Sequence, residues 1–398
     1  MSQIRYFLDI TPFRDYAWTG IPTVTAEIAR HLLERMPESS FFYYGPDIIR
    51  PEFVRIAIEK SPGGYLRSLI EAGTATSGSL ADMLARSGLT VGLFPNIKPI
   101  HRMFNVELNI IHDLSAVLLP EVHTPRAAVE HSQAYMRDIG TSDLVCCVSE
   151  ATRQDVLLYL KADLKRVFVS HLGCRIDTST EAMRERSMRG TTPPYIVVLG
   201  TVEPRKNLRL IADLIRHRPR VCEEFAFFFV GRRGWGAQFE EIFGDIMRMP
   251  QCRDRLLFTD YVDDEVKKRL LRRAAFAIYP SLFEGFGLPV IECMAEGCPV
   301  IASRTSSLVE LGLDDSCYFD PWSLNDFARC FDMMHSVVAQ PTQREHLSHD
   351  VLNRASKFTW GAFMDRVLAR IDEVVAAKRM IDAPPTTRDL PQRRRTKR

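Results

Sequence analysis

The segment YPSLFEGFGLPVIECMAEG, in the last third of the chain, contains residues that together can bind an anion. Gly285 and Gly287 lack a Cβ atom, so a ligand can approach the backbone there closely. A helix is predicted at Leu288–Glu296, and its free N–H groups and positive dipole end would face this loop. Such an arrangement predicts a site for phosphate or diphosphate.

Two carboxylates flank this predicted anion site. Glu292 lies one helical turn into the predicted helix, where it can accept hydrogen bonds from ribose hydroxyls, and Glu284 would face the group attached beyond the phosphates. The run from Gly285 to Val290 nearly matches the G-x-G-x-x-G fingerprint of dinucleotide-binding folds. However, its third position is Val290, and that fingerprint normally follows the first strand of its domain. The sequence therefore argues against an NAD-type site.

The pattern Glu284-x7-Glu292, with Gly-Phe-Gly directly after the first Glu, resembles the donor site of retaining glycosyltransferases with the GT-B fold. More narrowly it resembles family 4, which includes bacterial mannosyltransferases. The resemblance implies an α/β protein of two doubly wound Rossmann-like domains that face each other across a cleft. It also implies that Glu284 acts in catalysis by orienting the donor sugar. The donor-binding residues that it implies in this segment are Gly285, Phe286, Gly287, Leu288 and Glu292.

Two further segments of the C-terminal half resemble the same family. The segment LGTVEPRKN resembles its strand–loop–helix unit, in which Arg205 and Lys206 would clamp the donor diphosphate and so act in catalysis. Two cations beside a helix N-terminus suit this task, because they stabilise the charge that builds on a departing nucleoside diphosphate. The segment LFTDYV resembles the part that borders the nucleobase and implies that Val262 contacts the donor. Asp260 stands there where the family usually has Gly.

The N-terminal half resembles the family more loosely. Thr19, Gly20 and Ile21 resemble its glycine loop, and the likeness implies that Gly20 and Ile21 reach the donor phosphate across the cleft. The segment IHDL resembles the family's HDL motif, which implies that His112 lies near the transferred sugar in a catalytic role. Without that likeness, a single His at a strand end is usually a structural hydrogen-bonding residue. The segment VSE also resembles the family, but a helix cap at Ser149 explains it equally well.

The elements that must position these residues alternate between strands and helices, which predicts mainly parallel sheets covered on both faces. Strands are predicted at Ile4–Ile10, Ser40–Gly45, Leu89–Pro95, Glu107–His112, Leu144–Ser149, Val167–Leu172, Tyr195–Gly200, Phe225–Gly231, Leu256–Asp260, Phe276–Ser281 and Pro299–Ser303. Helices are predicted at Ile21–Met36, Pro125–Ile139, Glu150–Leu160, Asn207–Arg216, Asp263–Ala274 and Leu288–Glu296.

The polar segment between Arg175 and Pro194 interrupts this alternation and has the composition of a linker. We therefore predict an N-terminal, acceptor-side domain at 1–185 and a C-terminal, donor-binding domain at 186–360. A C-terminal helix at 361–380 would pack back onto the first domain. Residues 381–398 would form a disordered basic tail, since 388–398 holds six basic residues and one acidic residue.

Composition excludes several classes of protein. The 398 residues are 46% hydrophobic and 26% charged, as in a soluble globular protein, and the net charge of +2 is too small for a whole-surface nucleic-acid binder. Nine cysteines without a CxxC pair predict free thiols in a reducing compartment, and the N-terminus resembles no signal peptide. The histidines do not cluster at metal-ligand spacing, so we expect no metal cofactor. A cytoplasmic protein is predicted.

The resemblance thus implies an enzyme that moves a hexose from a nucleoside-diphosphate sugar, with GDP-mannose as the best guess, to a hydroxyl of a glycan or polyprenyl-linked acceptor. Two alternatives remain: a GT-B sugar-nucleotide epimerase and a nucleotide-sugar-binding protein without turnover. Contact with the inner face of the membrane is a further expectation, through the basic tail or through residues 50–60. Basic and apolar side chains mix at 50–60, although Glu52 and Glu59 make ordinary packing the better interpretation there.

Overall fold

The computed structural model describes residues 4–15, 20–43, 47–60, 65–188 and 194–382 of the chain. Within these ranges the strands form two separate sheets, one in each half of the sequence. The strands of the first sheet are β1 (Ile4–Asp9), β2 (Ser40–Tyr43), β3 (Asp47–Ile49), β4 (Thr76–Ser79), β5 (Leu89–Phe94), β6 (Val106–Ile111), β7 (Leu144–Cys147) and β8 (Val167–Val169). The strands of the second are β9 (Tyr195–Leu199), β10 (Ala226–Val230), β11 (Leu256–Asp260), β12 (Phe276–Tyr279), β13 (Val300–Ser303) and β14 (Tyr318–Phe319).

Helices cover these sheets and fill the connections between strands. In the first half they are α1 (Ile21–Arg35), α2 (Pro51–Lys60), α3 (Tyr65–Glu71), α4 (Leu80–Ala85), α5 (Ser115–Leu118), α6 (Pro125–Thr141), α7 (Glu150–Tyr159) and α8 (Thr180–Ser187). In the second half they are α9 (Leu208–His217), α10 (Val221–Glu224), α11 (Phe239–Phe243), α12 (Asp264–Arg273), α13 (Leu288–Ala295), α14 (Leu324–Val338), α15 (Pro341–Ala355) and α16 (Trp360–Asp382).

The C-terminal sheet has the order β11-β10-β9-β12-β13-β14, and all its pairings are parallel. Its strands are short and almost wholly apolar, because helices bury both faces of the sheet. The order reverses direction between β9 and β12, which are neighbours. In open α/β sheets such a reversal leaves a crevice at the carboxyl ends of the two strands, where ligands bind. The segments that follow β9 and β12 carry the two strongest sequence motifs, so the topology brings them together.

The N-terminal sheet has the order β4-β3-β2-β1-β5-β6-β7-β8. Its central pairings are parallel, but β3 pairs antiparallel with both β2 and β4 at one edge. The sequence analysis missed these two edge strands, because β3 has three residues and the polar strand β4 contains Gly78. The order reverses between β1 and β5 here, so the segment after β1 that begins α1 lies at the corresponding crevice.

The segment predicted to be a plain linker contains a helix, and this part of the prediction was wrong. Helix α8 lacks an apolar stripe, yet it buries Ala182 and the carboxylate of Glu185. Glu185 accepts a hydrogen bond of 3.0 Å from Arg272 of α12, and Arg272 also donates to Glu296 at 2.7 Å. Buried ion pairs, rather than apolar periodicity, therefore hold this helix against the C-terminal half.

The chain passes between the two halves a second time near its end. The backbone N–H of Cys174 donates to the carbonyl of Phe358 at 3.0 Å, so the two crossing segments run side by side. Helix α16 then packs on β6, β7 and α1 of the first half. Lys378 near its end forms an ion pair of 2.7 Å with Asp143. The basic tail lies outside the described residues.

Other surface and thiol predictions can be compared with the described residues. Helix α2 buries Val54 and Ile58 in the core and packs Phe53 against it, so its apolar residues serve ordinary packing. All nine cysteines are free, and all but the half-buried Cys174 are buried. Among the described residues, no helix is long and apolar enough to cross a membrane.

Candidate functional site

A compact cluster of charged side chains lies at the adjoining ends of β9 and β12. The carboxylate oxygen Oε1 of Glu284 lies 2.7 Å from Nζ of Lys206 and 2.9 Å from Nη1 of Arg205. The Tyr279 hydroxyl, 3.0 Å away, donates to the same oxygen. Arg205 also pairs with Glu203 at 2.8 Å. The structure therefore brings together three predicted catalytic residues, since Arg205 and Lys206 both pair with the same oxygen of Glu284.

Electrostatics in this cluster favour the charged forms of Glu284 and Arg205. Burial by itself would raise the pKa of Glu284, but the neighbouring cations outweigh it and hold that pKa at about 2. Burial lowers the pKa of Lys206, although Glu284 opposes this effect. Burial also acts to lower the pKa of Arg205, yet Glu284 and Glu203 outweigh it and raise the value. A buried carboxylate thus holds two cations in place beside the loop that was predicted to bind phosphate.

That loop has the backbone geometry the sequence predicted. Gly287 has a φ of +96°, a conformation that side chains disfavour, and it caps the N-terminus of α13. The side chains of Ser306 and Ser307 both donate to the carbonyl of Glu284, at 2.7 and 2.8 Å, and so hold the backbone of the loop in place. Phe286 is buried, with its ring stacked 5.8 Å from that of His171. Only the backbone of Phe286 is therefore placed for a ligand.

At Gly285 the backbones of the two halves of the molecule approach each other closely. A Cβ atom at this position would lie 1.7 Å from the carbonyl oxygen of His112. The Thr152 hydroxyl is 3.2 Å from the carbonyl oxygens of both His112 and Gly285, which share its single hydrogen. His112 thus lies directly across the cleft from the predicted phosphate loop. Its Nε2 atom contacts the carbonyl of Pro95 at 2.7 Å, and burial lowers its pKa, which favours the neutral imidazole.

A second contact across the cleft involves a residue that the sequence analysis did not single out. The Glu310 carboxylate accepts hydrogen bonds from the backbone N–H groups of Glu150 and Ala151, at 2.9 and 2.8 Å. It therefore caps α7 of the opposite half, where a negative charge is favoured by the helix dipole. Ser149 caps the same helix by accepting from the N–H of Thr152, so the alternative interpretation of the VSE segment is confirmed.

The remaining predicted donor residues lie around this centre. Glu292 is half-buried on α13 and pairs with Lys267 at 3.0 Å, while Leu288 begins the same helix. Val262 packs partly buried against the core. Gly20, with a φ of +58°, precedes α1, whose first residue is Ile21. Among the described residues, no hydrogen bond links Gly20 or Ile21 to the C-terminal half. Thr19 lies outside those residues.

Asp260 has a structural explanation for its departure from the family pattern. Its φ is +58°, in the left-handed region that Gly adopts freely and that Asp tolerates better than most residues. The side chain accepts a hydrogen bond of 2.8 Å from the N–H of Tyr261, which supports the turn locally. The backbone conformation that Gly would supply is therefore preserved.

Sequence reasoning also missed Asp113, His123 and Trp235, which line the cleft. Asp113 belongs to the IHDL segment, so the motif itself was a signal for it. Trp235 donates a 2.9 Å hydrogen bond across the cleft to the carbonyl of Val122 and stacks on His123. No local pattern marks these two residues, because their pairing joins distant parts of the chain. Among the described residues, no group of three His, Cys, Asp or Glu side chains is arranged to hold a metal ion.

Comparison with known proteins agrees with this architecture. Residues 193–335 match the family described as "Glycosyl transferases group 1". The chain is 26% identical to O-antigen chain mannosyltransferase B of Escherichia coli, over 67% of this chain and 70% of that protein. It is also 26% identical to the serotype-specific mannosyltransferase WbdA of Escherichia coli, over 82% of this chain but only 42% of that longer protein.

Solved structures show the same fold. Anabaena Alr3699/HepE in complex with UDP and glucose aligns with a TM-score of 0.63 and 15% identity, over 94% of this chain and 100% of that one. Sucrose-phosphate synthase from Thermosynechococcus elongatus aligns with a TM-score of 0.67 and 17% identity, over the same shares of the two chains. The chain therefore has the GT-B fold, and the family match and the relatives support a hexosyltransferase that is similar in sequence to bacterial mannosyltransferases.

Proposed function

We propose that this protein transfers a hexose, with retention of configuration, from a nucleoside-diphosphate sugar to a hydroxyl group of a growing glycan in polysaccharide biosynthesis. The observation that carries the proposal is the convergence of Arg205 and Lys206 on Glu284 beside the N-terminus of α13. A diphosphate there would meet two cations and several free backbone N–H groups. Mannose from GDP-mannose is the proposed donor, because the relatives reported above are mannosyltransferases.

In the mechanism that we propose, the residues of both halves surround the donor. Arg205, Lys206 and the N–H groups of 285–288 stabilise the diphosphate, so that no metal ion is required for this charge. Glu292 accepts hydrogen bonds from the ribose. Lys267, which pairs with Glu292 in the structure, would first move away or form its own contact with the donor. Glu284 accepts from hydroxyls of the donor sugar, and His112 approaches that sugar from the opposite side of the cleft. Gly20, Ile21 and Val262 complete the donor site.

The chemical step follows from where negative charge develops. The acceptor oxygen forms a bond to the anomeric carbon on the face from which the diphosphate leaves, as the bond from that carbon to the phosphate oxygen breaks. The acceptor's proton passes to the departing phosphate oxygen, so the products are the glycoside and a nucleoside diphosphate. The close approach of the two halves at Gly285 would exclude water, which would otherwise hydrolyse the donor.

The phosphate clamp is tested by the double variant Arg205→Ala, Lys206→Ala, assayed at saturating acceptor. We expect turnover to fall by about 10³-fold or more, since removal of a single electrostatic donor typically costs about 10²–10³. The control is Arg218→Ala, an exposed cation of the same half that forms a surface ion pair with Asp332. Thermal unfolding with and without GDP or UDP separates lost binding from lost folding. Near-normal turnover in the double variant would contradict the assignment.

Two alternatives are separated by the same reagents. A nucleotide-sugar-binding protein without turnover would release no nucleoside diphosphate in the presence of acceptor. A sugar-nucleotide epimerase would convert the donor without any acceptor, which an NMR time course detects. For a GDP-sugar donor we expect GDP to raise the unfolding temperature more than UDP does, because a ligand that binds only the native state stabilises that state.

We also propose that the acceptor is a glycan carried on a polyprenyl lipid, which would bring this protein to the inner face of the cytoplasmic membrane as a peripheral protein. The basic residues of 388–398 would support that contact through attraction to anionic lipids. Cosedimentation with vesicles of anionic and of neutral lipid, using the full chain and a chain that ends at 382, tests this part separately.

A further inference from the structure

The hydroxyl group of Tyr279 lies between two of the charged groups on the C-terminal side of the cleft. Tyr279 is the last residue of β12 and is 2% exposed. Its hydroxyl oxygen lies 2.6 Å from Nζ of Lys206 and 3.0 Å from Oε1 of Glu284. The Lys206 ammonium group also donates directly to that carboxylate oxygen, at 2.7 Å. The three groups therefore form a closed triangle of hydrogen bonds, and the sequence analysis assigned no role to the tyrosine.

The chemistry of the three groups fixes the direction of each hydrogen bond. An ammonium group can only donate and a carboxylate can only accept, so the Tyr279 oxygen must accept from Lys206 and donate its one hydrogen to Glu284. Burial raises the pKa of the Tyr279 hydroxyl well above its usual value, so the hydroxyl keeps that hydrogen at neutral pH. The tyrosine thus stabilises the charged forms of both of its partners.

The stem of Lys206 is also held in place. Gly200, which follows β9, has a φ of +134°, and a Cβ atom there would lie 3.2 Å from Cε of Lys206. The lysine stem therefore passes close to the glycine backbone before it reaches the end of β12. The ammonium nitrogen lies 4.8 Å from the centre of the Tyr279 ring, within the range of a cation–π contact. The ring and the hydroxyl of Tyr279 together fix where this positive charge lies.

One N–H of this ammonium group remains for a ligand. An ammonium group carries three hydrogens, and the contacts with Tyr279 and Glu284 account for two of them. Among the described residues, Lys206 has no third hydrogen-bond partner. Lys206 lies beside the loop that begins α13, where we propose that the donor diphosphate binds. A cation whose position is fixed before the reaction stabilises developing negative charge without reorganisation.

A second buried tyrosine of the same half forms a different kind of contact. Tyr318 is 3% exposed, and its hydroxyl donates to the carbonyl of Leu308 at 2.8 Å and accepts from the N–H of Leu313 at 3.2 Å. Both of its partners are backbone groups, as for most hydrogen bonds of side chains within proteins. Both partners of Tyr279 are instead ionised side chains that we propose to act in catalysis.

We propose that Tyr279 is a positioning residue of the phosphate clamp formed by Arg205 and Lys206: it keeps the Lys206 ammonium group charged and leaves its third N–H for the donor diphosphate. This inference rests on the proposed glycosyl transfer and deepens it by naming a residue that acts through Lys206 rather than on the substrate. The charged and titratable groups that act on Lys206 are Tyr279, Glu284, Glu203 and Arg205.

The first experiment removes the hydroxyl group and keeps the ring. In Tyr279→Phe we expect the affinity for GDP, measured by titration calorimetry, to fall by about tenfold to a hundredfold, the size expected for one hydrogen bond to a charged group. The matched control is Tyr318→Phe, which also loses two hydrogen bonds in the same half and should bind GDP as wild type does. Thermal unfolding shows that both variants are folded. An unchanged affinity in Tyr279→Phe would overturn the inference.

The second experiment uses pH, which a tyrosine with a merely structural role would not affect. Burial lowers the pKa of Lys206, and loss of the Tyr279 hydroxyl removes a group that stabilises the ammonium form, so that pKa should fall further in Tyr279→Phe. GDP affinity should therefore decline at a pH about one unit lower in this variant than in wild type, as a tenfold weaker stabilisation of the ammonium requires. Tyr318→Phe should leave the alkaline limb in place. The same alkaline limb in Tyr279→Phe and wild type would contradict the assigned role.

A double-mutant cycle tests whether Tyr279 acts through Lys206. We expect the variant Tyr279→Phe, Lys206→Ala to bind GDP as weakly as Lys206→Ala alone, because the hydroxyl then has no ammonium group to position. Additive losses of affinity would refute the inference. If Lys206→Ala and Arg205→Ala weaken GDP binding but Tyr279→Phe does not, only the positioning role is wrong. If GDP binding depends on none of the three residues, the proposed function itself fails.

Discussion

The two sides of the cleft treat their carboxylates in opposite ways. On the C-terminal side, Glu284 lies between two cations and its pKa falls to about 2, so it is ionised at any physiological pH. On the N-terminal side, burial and the nearby Asp113 raise the pKa of Asp155 to about 6. The same functional group thus has its charge satisfied on one side and left uncompensated on the other. The cations of the C-terminal side suit the anionic donor that we propose, whereas among the described residues no cation pairs with Asp155.

The origin of this difference lies in topology. Arg205, Lys206 and Glu284 follow β9 and β12, neighbouring parallel strands whose ends must lie side by side, so their charges meet within one sheet edge. Asp113 lies in the loop after β6, where it accepts hydrogen bonds from Ser115 of its own half, and Asp155 lies within α7, which follows β7. Backbone contacts at Gly285 then hold the two surfaces against each other.

The largest effect is expected from Glu284→Gln, which removes the charge balance on the C-terminal side. Breaking a buried pair by removing one partner leaves the other charges uncompensated, so the free energy of unfolding should fall by about 3–5 kcal/mol at pH 7. Because the pKa is depressed in the folded state, this contribution is present above about pH 4.5 and disappears as pH falls towards 2. Urea unfolding of variant and wild type at pH 7 and pH 3 measures the difference.

The control for this prediction is Glu240→Gln, which breaks an exposed pair with Arg233 on the same half of the molecule. Solvent screens that pair, so stability should change little. If the two variants lose the same stability, the buried cluster has no special role in the fold, and the contrast between the two sides weakens.

A smaller effect, on activity rather than folding, is expected from Gly285→Ala. The added methyl group would meet the backbone carbonyl of His112, so the two sides would have to separate by more than 1 Å. Misplacement of this size costs about 100-fold in rate when geometry controls reaction, and kcat/KM should fall accordingly. Gly140→Ala serves as the control, since nothing lies within 4 Å of its Cβ position. Full activity in Gly285→Ala would show that the halves need not meet here during turnover.

The smallest effect is expected from Asp155→Asn on stability. A carboxyl whose pKa is raised in the folded state destabilises that state once pH exceeds the unfolded value, so wild-type stability should fall between about pH 4 and pH 6. The variant lacks this loss and should be more stable than wild type above pH 6, by about 1 kcal/mol or less because solvent screens the half-exposed group. Unfolding curves of wild type and variant at pH 4.5 and pH 8 test this prediction. A variant less stable than wild type at pH 8 would contradict the interpretation that the Asp155 carboxylate is unpaired.

The sequence was informative wherever function depends on neighbours along the chain. Arg205 and Lys206 are neighbours in sequence, and so are Glu284 and Gly285, so each pair could be found as a local motif. The two pairs follow the neighbouring strands β9 and β12, so the sheet topology brings them together. The linker prediction was wrong because α8 is held by Glu185 and Arg272, residues far apart in sequence whose ion pair leaves no apolar pattern. Asp260 shows the converse, since its departure from a motif preserved the backbone conformation that the motif requires.

The amino-acid sequence by itself determined the alternating α/β pattern and the position of the glycine loop before α13, because periodicity and turn chemistry are local properties. The tertiary structure alone decided that Glu284 pairs with both Arg205 and Lys206 and that Glu310 caps α7 across the cleft. These contacts join residues 78 to 160 positions apart, and their strength depends on burial and distance, which no local pattern of residues encodes.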